Sequence, residues 1–185
     1  MGMTTSLTYR CSYNGSQTML ALVGPLVYNW LRRLEAREVT MSEYLPSPRE
    51  WVAEQVELYE GSGGTDGLTL RDTGLPVIIV TNRGRKTGSI RKTPLMRVVD
   101  GKSYILVASQ GGAPKHPFWY HNLKMEPNVE IRDKTEVYSM RVREVVDSIE
   151  RQRLWALAVE AYPPYQEYQD KTDRVIPVFV AEAIE

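Results

Sequence analysis

The chain has 185 residues, with 23 basic side chains against 23 acidic ones, two histidines and a single cysteine. That length holds one compact domain and at most an appendage, and the charge balance excludes a whole-molecule attraction to nucleic acid or an anionic membrane, so any anion site must be local. Cys11 alone excludes an intrachain disulfide and fits a reducing, cytoplasmic compartment; a metal site would need a carboxylate cluster, which the sequence does not display, so no metal is expected.

Residues 1 to about 18 are polar and patternless. Residues 19–34 read MLALVGPLVYNWLRRL, an apolar run interrupted by Gly24-Pro25 and carrying Arg32-Arg33 near its end. A bilayer span takes about 20 apolar residues, so the run is too short to cross. Its basic residues follow the apolar part instead of preceding it, which argues against a signal peptide. Two readings stand open: a helix packed on the domain or on a partner, and an interfacial helix lying peripherally on the inner face of the plasma membrane. Met41 offers an alternative start, in which residues 1–40 are read-through of upstream sequence. The sequon Asn14-Gly15-Ser16 carries no weight in an intracellular chain. The expected division is an extension, 1–46, and a domain, 47–185.

Ser47-Pro48-Arg49-Glu50 predicts a helix start, with Ser47 as N-cap, Pro48 at the first helical position and Glu50 closing a capping box. Trp51, Val52, Val56 and Tyr59 continue it as one apolar stripe to Gly61. Residues 61–67, GSGGTDG, form a flexible connection. Residues 77–81 and 95–99 predict strands, and Asp100-Gly101 turns the chain into a third at 104–108. That strand runs into Ser109-Gln110-Gly111-Gly112, a bare loop that lets backbone approach a ligand closely. Pro117 opens a short helix over 118–123. Residues 129–132 and 135–146 predict a hairpin turning at Asp133-Lys134, with Tyr138, Met140 and Val142 on its inward face. Asp147 and Glu150 make a second capping box for a helix over 149–161, ended by Pro163-Pro164. Residues 175–180 predict a last strand, and Pro177 inside it points to a sheet edge. Five or six mostly antiparallel strands with three short helices predict a mainly β, α+β fold, a small barrel whose openings are filled by helices.

The stretch 81–95 carries the clearest chemistry. Between Asp72 and Asp100 there is no acidic residue, while Arg83, Arg85, Lys86, Arg91, Lys92 and Arg97 supply six positive charges. Nothing local neutralises them. Gly84 and Gly88 let the backbone turn sharply, and the combination suits phosphates or carboxylates, each contact being a charge-assisted hydrogen bond of roughly 1.5 to 3 kcal/mol. Gly101-Lys102-Ser103 is not a P-loop, because Met96 stands where the pattern requires its first glycine.

Arg85-Lys86-Thr87-Gly88 followed by Arg91 and Pro94-Leu95, then Ala108-Ser109 with Gly111-Gly112, Pro117-Phe118-Trp119-Tyr120 with Asn122-Leu123-Lys124, and Tyr162-Pro163-Pro164-Tyr165-Gln166-Glu167-Tyr168-Gln169 occur in that order. The set resembles the deazaflavin-dependent nitroreductase family, and within it the actinobacterial quinone-reductase members that activate nitroimidazole prodrugs. The likeness covers about residues 48–182. It implies a split β-barrel related to the flavin-reductase and pyridoxamine-phosphate-oxidase barrels. It also implies coenzyme F420, a deazaflavin with a phosphodiester and an oligoglutamate tail, as cofactor. By resemblance Arg85, Lys86, Thr87 and Arg91 hold the phosphate and tail, and Lys92, Thr93, Pro94, Leu95 and Met96 line the passage. Val107, Ala108, Ser109 and Gln110 frame the ring together with Phe118, Trp119, Tyr120, His121 and Asn122. Departures are Asn82-Arg83 where relatives often have small hydroxyl residues, Gln110 in place of a common lysine and Phe118 in place of a frequent methionine. They bear on tail length and substrate more than on reaction class.

A deazaflavin has carbon where a flavin has its reactive nitrogen and therefore passes hydride; the protein must fix the ring and hydrogen-bond the acceptor oxygen that becomes negative. Ser109 is either that donor or an ordinary turn hydroxyl. Tyr162, Tyr165 and Tyr168 fall three apart and align on one side of a helical segment. They are either packing or an aromatic lid over a flat quinone, with Tyr165 the first choice as donor. Phe118 and Trp119 are either core or a wall against the ring, Trp119 also touching the substrate. His116 and His121 have no partners at metal spacing and read as surface or helix-end histidines. The expected reaction is hydride transfer from reduced coenzyme F420 to a menaquinone-like quinone, with nitroaromatic and nitroimidazole reduction as a side activity. Two other readings remain: a flavin-mononucleotide-binding reductase or oxidase on the same barrel, and a non-enzymatic cofactor carrier or nucleic-acid-binding module, which the charge balance disfavours.

Overall fold

The structure, a computed structural model, describes residues 43–184. The apolar run 19–34, Cys11, the sequon at Asn14 and Met41 lie outside the described residues. Among the described residues seven strands form one antiparallel sheet: β1 (Val77–Arg83), β2 (Ile90–Met96), β3 (Val99–Asp100), β4 (Ser103–Val107), β5 (Asn128–Asp133), β6 (Glu136–Glu144) and β7 (Val178–Ala183), in the order β2-β1-β5-β6-β7-β4-β3. Among the described residues four α-helices accompany it: α1 (Glu50–Gly61), α2 (Phe118–Met125), α3 (Ser148–Ala161) and α4 (Pro164–Asp170).

The sheet is curled into a split barrel, and its connectivity requires this. β2 ends at Met96 on one edge and β3 begins at Val99 on the other. Three residues reach about 10 Å at most, whereas six strand spacings in a flat sheet would cover about 29 Å. The predicted single strand over 95–99 is therefore two strands with a corner between them. At that corner the Arg97 N–H donates to the Pro76 carbonyl and the Val98 carbonyl accepts from Ile105 N–H. Asp133, at the end of β5, bridges the curl from inside: it accepts from Arg97 Nε at 2.7 Å and from the Tyr104 hydroxyl of β4 at 2.8 Å.

Alternation along the strands separates two cores. One face carries Ile78, Val80, Leu106, Ile131, Met140, Val142 and Phe179, closed by Trp119 and Leu123 of α2. The opposite face carries Val77, Ile79, Ile105, Val107, Val178 and Val180, covered by Val56 and Tyr59 of α1, Leu154 and Ala158 of α3 and Tyr165 of α4. Each such side chain contributes about 1.5 to 3 kcal/mol on burial.

Several boundaries differ from expectation for local reasons. Arg49 is extended, so α1 starts at Glu50 and Ser47 instead accepts from the Arg49 N–H at 3.2 Å. Glu43 and Leu45 exchange backbone hydrogen bonds with Ile90, which places residues 43–46 with the barrel. The β5–β6 turn is Lys134-Thr135, one residue later than expected, with Lys134 at φ +57°. Of the expected inward face of β6, Met140 and Val142 are buried and Tyr138 is exposed. Pro177 does not mark an edge: it lies just before β7, where its missing N–H costs no ladder bond, and β7 itself is central, between β6 and β4. The Asp147 cap is present, accepting from Glu150 N–H at 2.8 Å.

Candidate functional site

The basic hairpin tip between β1 and β2 is folded on its own backbone. Gly84 N–H donates to the Ser89 carbonyl and Gly88 N–H to the Gly84 carbonyl, both at 2.8 Å. Arg83 Nη1 reaches the Gly88 carbonyl at 3.4 Å, and Thr87 Oγ1 accepts from Ser89 N–H at 3.3 Å. A buried amide pair then latches the tip to α2. Asn122 Oδ1 accepts from the Arg85 N–H at 3.0 Å, and Asn122 Nδ2 donates to Asn82 Oδ1 at 2.8 Å. Asn82 is 2 % exposed and Asn122 7 %.

The six cations of this stretch are not equivalent: nothing local neutralises them, but acids distant in sequence pair with two. Lys92 pairs with Glu60 of α1 at 2.7 Å, and Arg97 pairs with Asp133. Arg91 Nη1 donates to the carbonyls of Leu45 and Pro46, at 3.2 and 3.3 Å. Glu60 and Asp133 are distant in sequence, so no local window reveals them. Arg85 and Lys86 are exposed and form no ion pair among the described residues. Along β2, Pro94 and Met96 are buried while Thr93 and Leu95 keep part of their surface open.

The second half of the site begins where β4 ends. Val107 and Ala108 are buried, and the Ser109 loop continues as a 3₁₀ turn, Gln110–Gly112, with Gln110 and both glycines at positive φ. The Ser109 hydroxyl has no hydrogen-bond partner among the described residues. At the start of α2 the two aromatics part: Trp119 is buried against Phe179, ring centroids 6.1 Å apart, whereas Phe118 is 88 % exposed and belongs to no core. Tyr120 stacks on His116 at 4.3 Å and meets Phe179 and His121 edge-on. Tyr120 reaches Glu144 at 3.5 Å, and Lys124 pairs with Glu144 at 2.7 Å.

The tyrosine series stands beside this loop. Pro164 opens α4, and Tyr162, Tyr165 and Tyr168 make one aromatic cluster with centroids 5.0 to 6.4 Å apart. Tyr162 and Tyr168 share a hydroxyl–hydroxyl bond at 3.1 Å and are half-buried; Tyr165 is 4 % exposed, packed against Trp155, and its hydroxyl has no partner among the described residues. Burial, and then the bond to Tyr168, push the Tyr162 phenol up to about 12. Burial pushes Tyr165 up further, with Tyr162 and Tyr168 adding to it. The Tyr162 and Tyr165 phenols therefore stay protonated at neutral pH and can donate hydrogen bonds.

Gly112 seats the loop on α4: a Cβ there would lie 2.7 Å from the Tyr168 carbonyl oxygen. Arg174, on the segment between α4 and β7, donates into the same loop, to Ala108 O at 3.1 Å, Ser109 O at 2.7 Å, Ala113 O at 2.8 Å and His116 Nδ1 at 3.1 Å. The predicted residues thus fall into two linked groups, hairpin tip and Ser109 loop, with α2 joining them. Asn82 and Arg174 were not anticipated. Asn82 looked like a departure from pattern, and the partners of Arg174 lie 58 to 66 positions away, where no sequence window reaches.

An anionic cofactor with a carbonyl-bearing ring fits these residues. Arg85 and Lys86 are uncommitted cations on an ordered tip. Asn82 Nδ2 is a buried donor with no acceptor among the described residues, a group that costs about 1 to 3 kcal/mol if left unsatisfied. Among the described residues no cluster of three or more His, Cys, Asp or Glu side chains is placed to hold a metal ion.

Residues 51–183 match the model of the family described as F420H(2)-dependent quinone reductase. The chain is 36 % identical over 125 residues to an F420H(2)-dependent quinone reductase of Mycobacterium tuberculosis, covering 66 % of this chain and 83 % of that protein. A solved F420-H2 dependent reductase is 51 % identical with a TM-score of 0.55, covering 58 % of this chain and 94 % of that one. A second solved chain, described as a domain-swapped dimer, is 49 % identical with a TM-score of 0.57, covering 74 % and 100 %.

Proposed function

Since the chain belongs to the F420H(2)-dependent quinone reductase family, we propose that it is an oxidoreductase that reduces a menaquinone-like quinone at the expense of reduced coenzyme F420, with nitroaromatics as side substrates. The observation that carries this reading is the pair of uncommitted cations, Arg85 and Lys86, on a tip latched through Asn122 to the helix that walls the Ser109 loop. Coenzyme F420, when bound, supplies a hydride. Everything else falls to the protein. Arg85, Lys86 and Thr87 hold the phosphate and tail, with Arg91 contributing from a side chain already engaged by carbonyls. Ala108, Ser109 and Gln110 frame the ring with Trp119, Tyr120, His121 and Asn122, Val107 supports them from the opposite face of the sheet, and Asn82 Nδ2 offers a donor at the tip end. Phe118 and Trp119 keep water from the ring. Ser109 and the tyrosines donate hydrogen bonds to the acceptor oxygen as it becomes negative; solvent supplies the proton that completes the hydroquinone. Tyr165 remains our first choice of phenol, because its hydroxyl is the one not already bonded to another tyrosine.

Titrating the protein with coenzyme F420 and then mixing the reduced complex with menadione tests this: quenching on binding and reappearance of the oxidised chromophore are expected. Neither binding nor turnover would discard the reading. The relatives support coenzyme F420 and lend nothing to flavin mononucleotide, and membership of a reductase family sets aside the carrier and nucleic-acid readings. No helix among the described residues is long and apolar enough to cross a membrane. A menaquinone-like acceptor dissolves in lipid, which supports a peripheral contact through residues 19–34. Vesicle binding should then weaken when residues 1–40 are deleted, and equal partitioning of both forms would remove that contact from the proposal.

A further inference from the structure

Arg174 is half-buried, and no carboxylate pairs with it among the described residues. Burial lowers the pKa of its guanidinium, yet an arginine keeps its charge at any physiological pH. Its N–H groups are spent on one loop: three carbonyls, of Ala108, Ser109 and Ala113, and the His116 ring. Ser109 O accepts from Gly112 N–H as well, so its bond to Arg174 sits at the pivot of the 3₁₀ turn. Because arginine only donates, His116 Nδ1 must be an unprotonated acceptor, which fixes the neutral tautomer with its proton on Nε2. The other end of the segment is tied to α4. Gln169 Nε2 donates to the Arg174 carbonyl at 2.8 Å, and Gln169 Oε1 accepts from Ile176 N–H at 2.9 Å. Tyrosine helix and Ser109 loop are therefore one unit, and the planar fork of Arg174 is its central pin.

We propose that Arg174 is a positioning residue of the reductase: its guanidinium, unpaired by any carboxylate among the described residues, holds the Ser109 loop in register with the tyrosines of α4 and keeps a fixed positive charge beside Ser109. The inference rests on the reading of that loop as the frame of the cofactor ring. A hydride reaching a quinone leaves negative charge on oxygen, and a cation already in place on the carbonyl of Ser109 favours that state without reorganising. Neutralisation by a nearby carboxylate would cancel the effect, which gives the absence of such a partner among the described residues a chemical use. The tie to Gln169 adds a second consequence. Whatever shifts α4 shifts the ring frame with it.

The test compares wild type, Arg174→Gln and Arg174→Lys, with the full chain, by coenzyme F420 titration, menadione reduction, thermal melting and amide hydrogen exchange at Gly112 and Ala113. For Arg174→Gln, kcat should fall by about ten- to a hundredfold, the scale of a misplaced reacting group or a lost electrostatic donor. Affinity for the cofactor should change less than about threefold, because the tail site is elsewhere, and exchange at Gly112 and Ala113 should accelerate. Arg174→Lys keeps the charge but cannot span carbonyls on both sides of the loop. It should recover part of kcat while exchange stays fast. Wild-type kcat in Arg174→Gln overturns the proposal whatever its exchange. Should that variant not fold, Arg174→Lys decides: reduced kcat with faster exchange supports the proposal, and wild-type kcat overturns it. If the wild type binds no coenzyme F420, the functional reading fails instead, and unchanged exchange in both variants still defeats the clamp.

Discussion

The hairpin tip and the Ser109 loop use arginine in opposite ways. At the tip, backbone bonds among Gly84, Gly88 and Ser89 hold the turn, one side chain, Asn122, anchors it, and the guanidinium of Arg85 is left in solvent. In the Ser109 loop the cation is turned inward and Arg174 spends its donors on four acceptors. The difference separates binding from positioning. On the function proposed above, the tip meets a charged tail with Arg85 and Lys86 left uncommitted on a stiff support, whereas the loop proposed to frame the reacting ring is fixed before any ligand arrives.

The largest effect should come from the loop. Gly112→Ala places a Cβ against the Tyr168 carbonyl at a residue with φ of +78°, and should cost about 3 kcal/mol, lowering the melting temperature by roughly 10 °C. Gly88→Ala at the tip has a similar φ, +69°, but nothing within 4 Å, so only backbone strain of about 1 kcal/mol remains. Equal losses in the two variants would erase the distinction between the regions. Next comes Asn122→Ala, which strips both partners from a buried latch and leaves the Asn82 amide alone. Melting should drop by the equivalent of about 2 kcal/mol, and coenzyme F420 affinity should fall because the tip is released; an unchanged affinity would show that the latch does not order the tip.

Lys86→Ala should weaken coenzyme F420 binding about tenfold, the scale of 1.4 kcal/mol, with melting unchanged and the loss shrinking as salt is raised. Arg91→Ala should weaken it less, since Leu45 and Pro46 already hold that guanidinium. A larger loss for Arg91 would reverse their ranking. The smallest effect concerns pH. Burial first, then Arg174 and His121, lower the His116 pKa below 6.5, and only Glu144 opposes them. A depressed value means that the neutral ring stabilises the fold above the unfolded pKa, and that this contribution is lost as pH falls from about 6.5 through the folded value. His116→Phe keeps a ring beside Tyr120 but cannot titrate, so its melting temperature should decline less between pH 7 and pH 5 than that of the wild type; parallel declines would exclude His116 as the sensitive group.

Much of this was legible along the chain because the deciding forces are short-ranged. The apolar stripe of Trp51, Val52, Val56 and Tyr59 marks α1 through helical spacing, the Asp147 carboxylate caps α3 three residues away, and glycines mark the tip and the Ser109 loop where backbone must bend. The order of motifs from Arg85 to Gln169 carried the family, and with it the cofactor. What only the tertiary structure decided is who meets whom. Glu60 takes Lys92 across 32 positions, Asp133 takes Arg97 across 36, Pro177 leads into a central strand, and Arg174 reaches back 65 residues to Ser109. Electrostatic and hydrogen-bonding partners are chosen through space after the sheet has curled. The composition of the basic hairpin was written in one stretch of sequence, but which of its charges stay uncommitted was set by acids that the fold brings in from elsewhere.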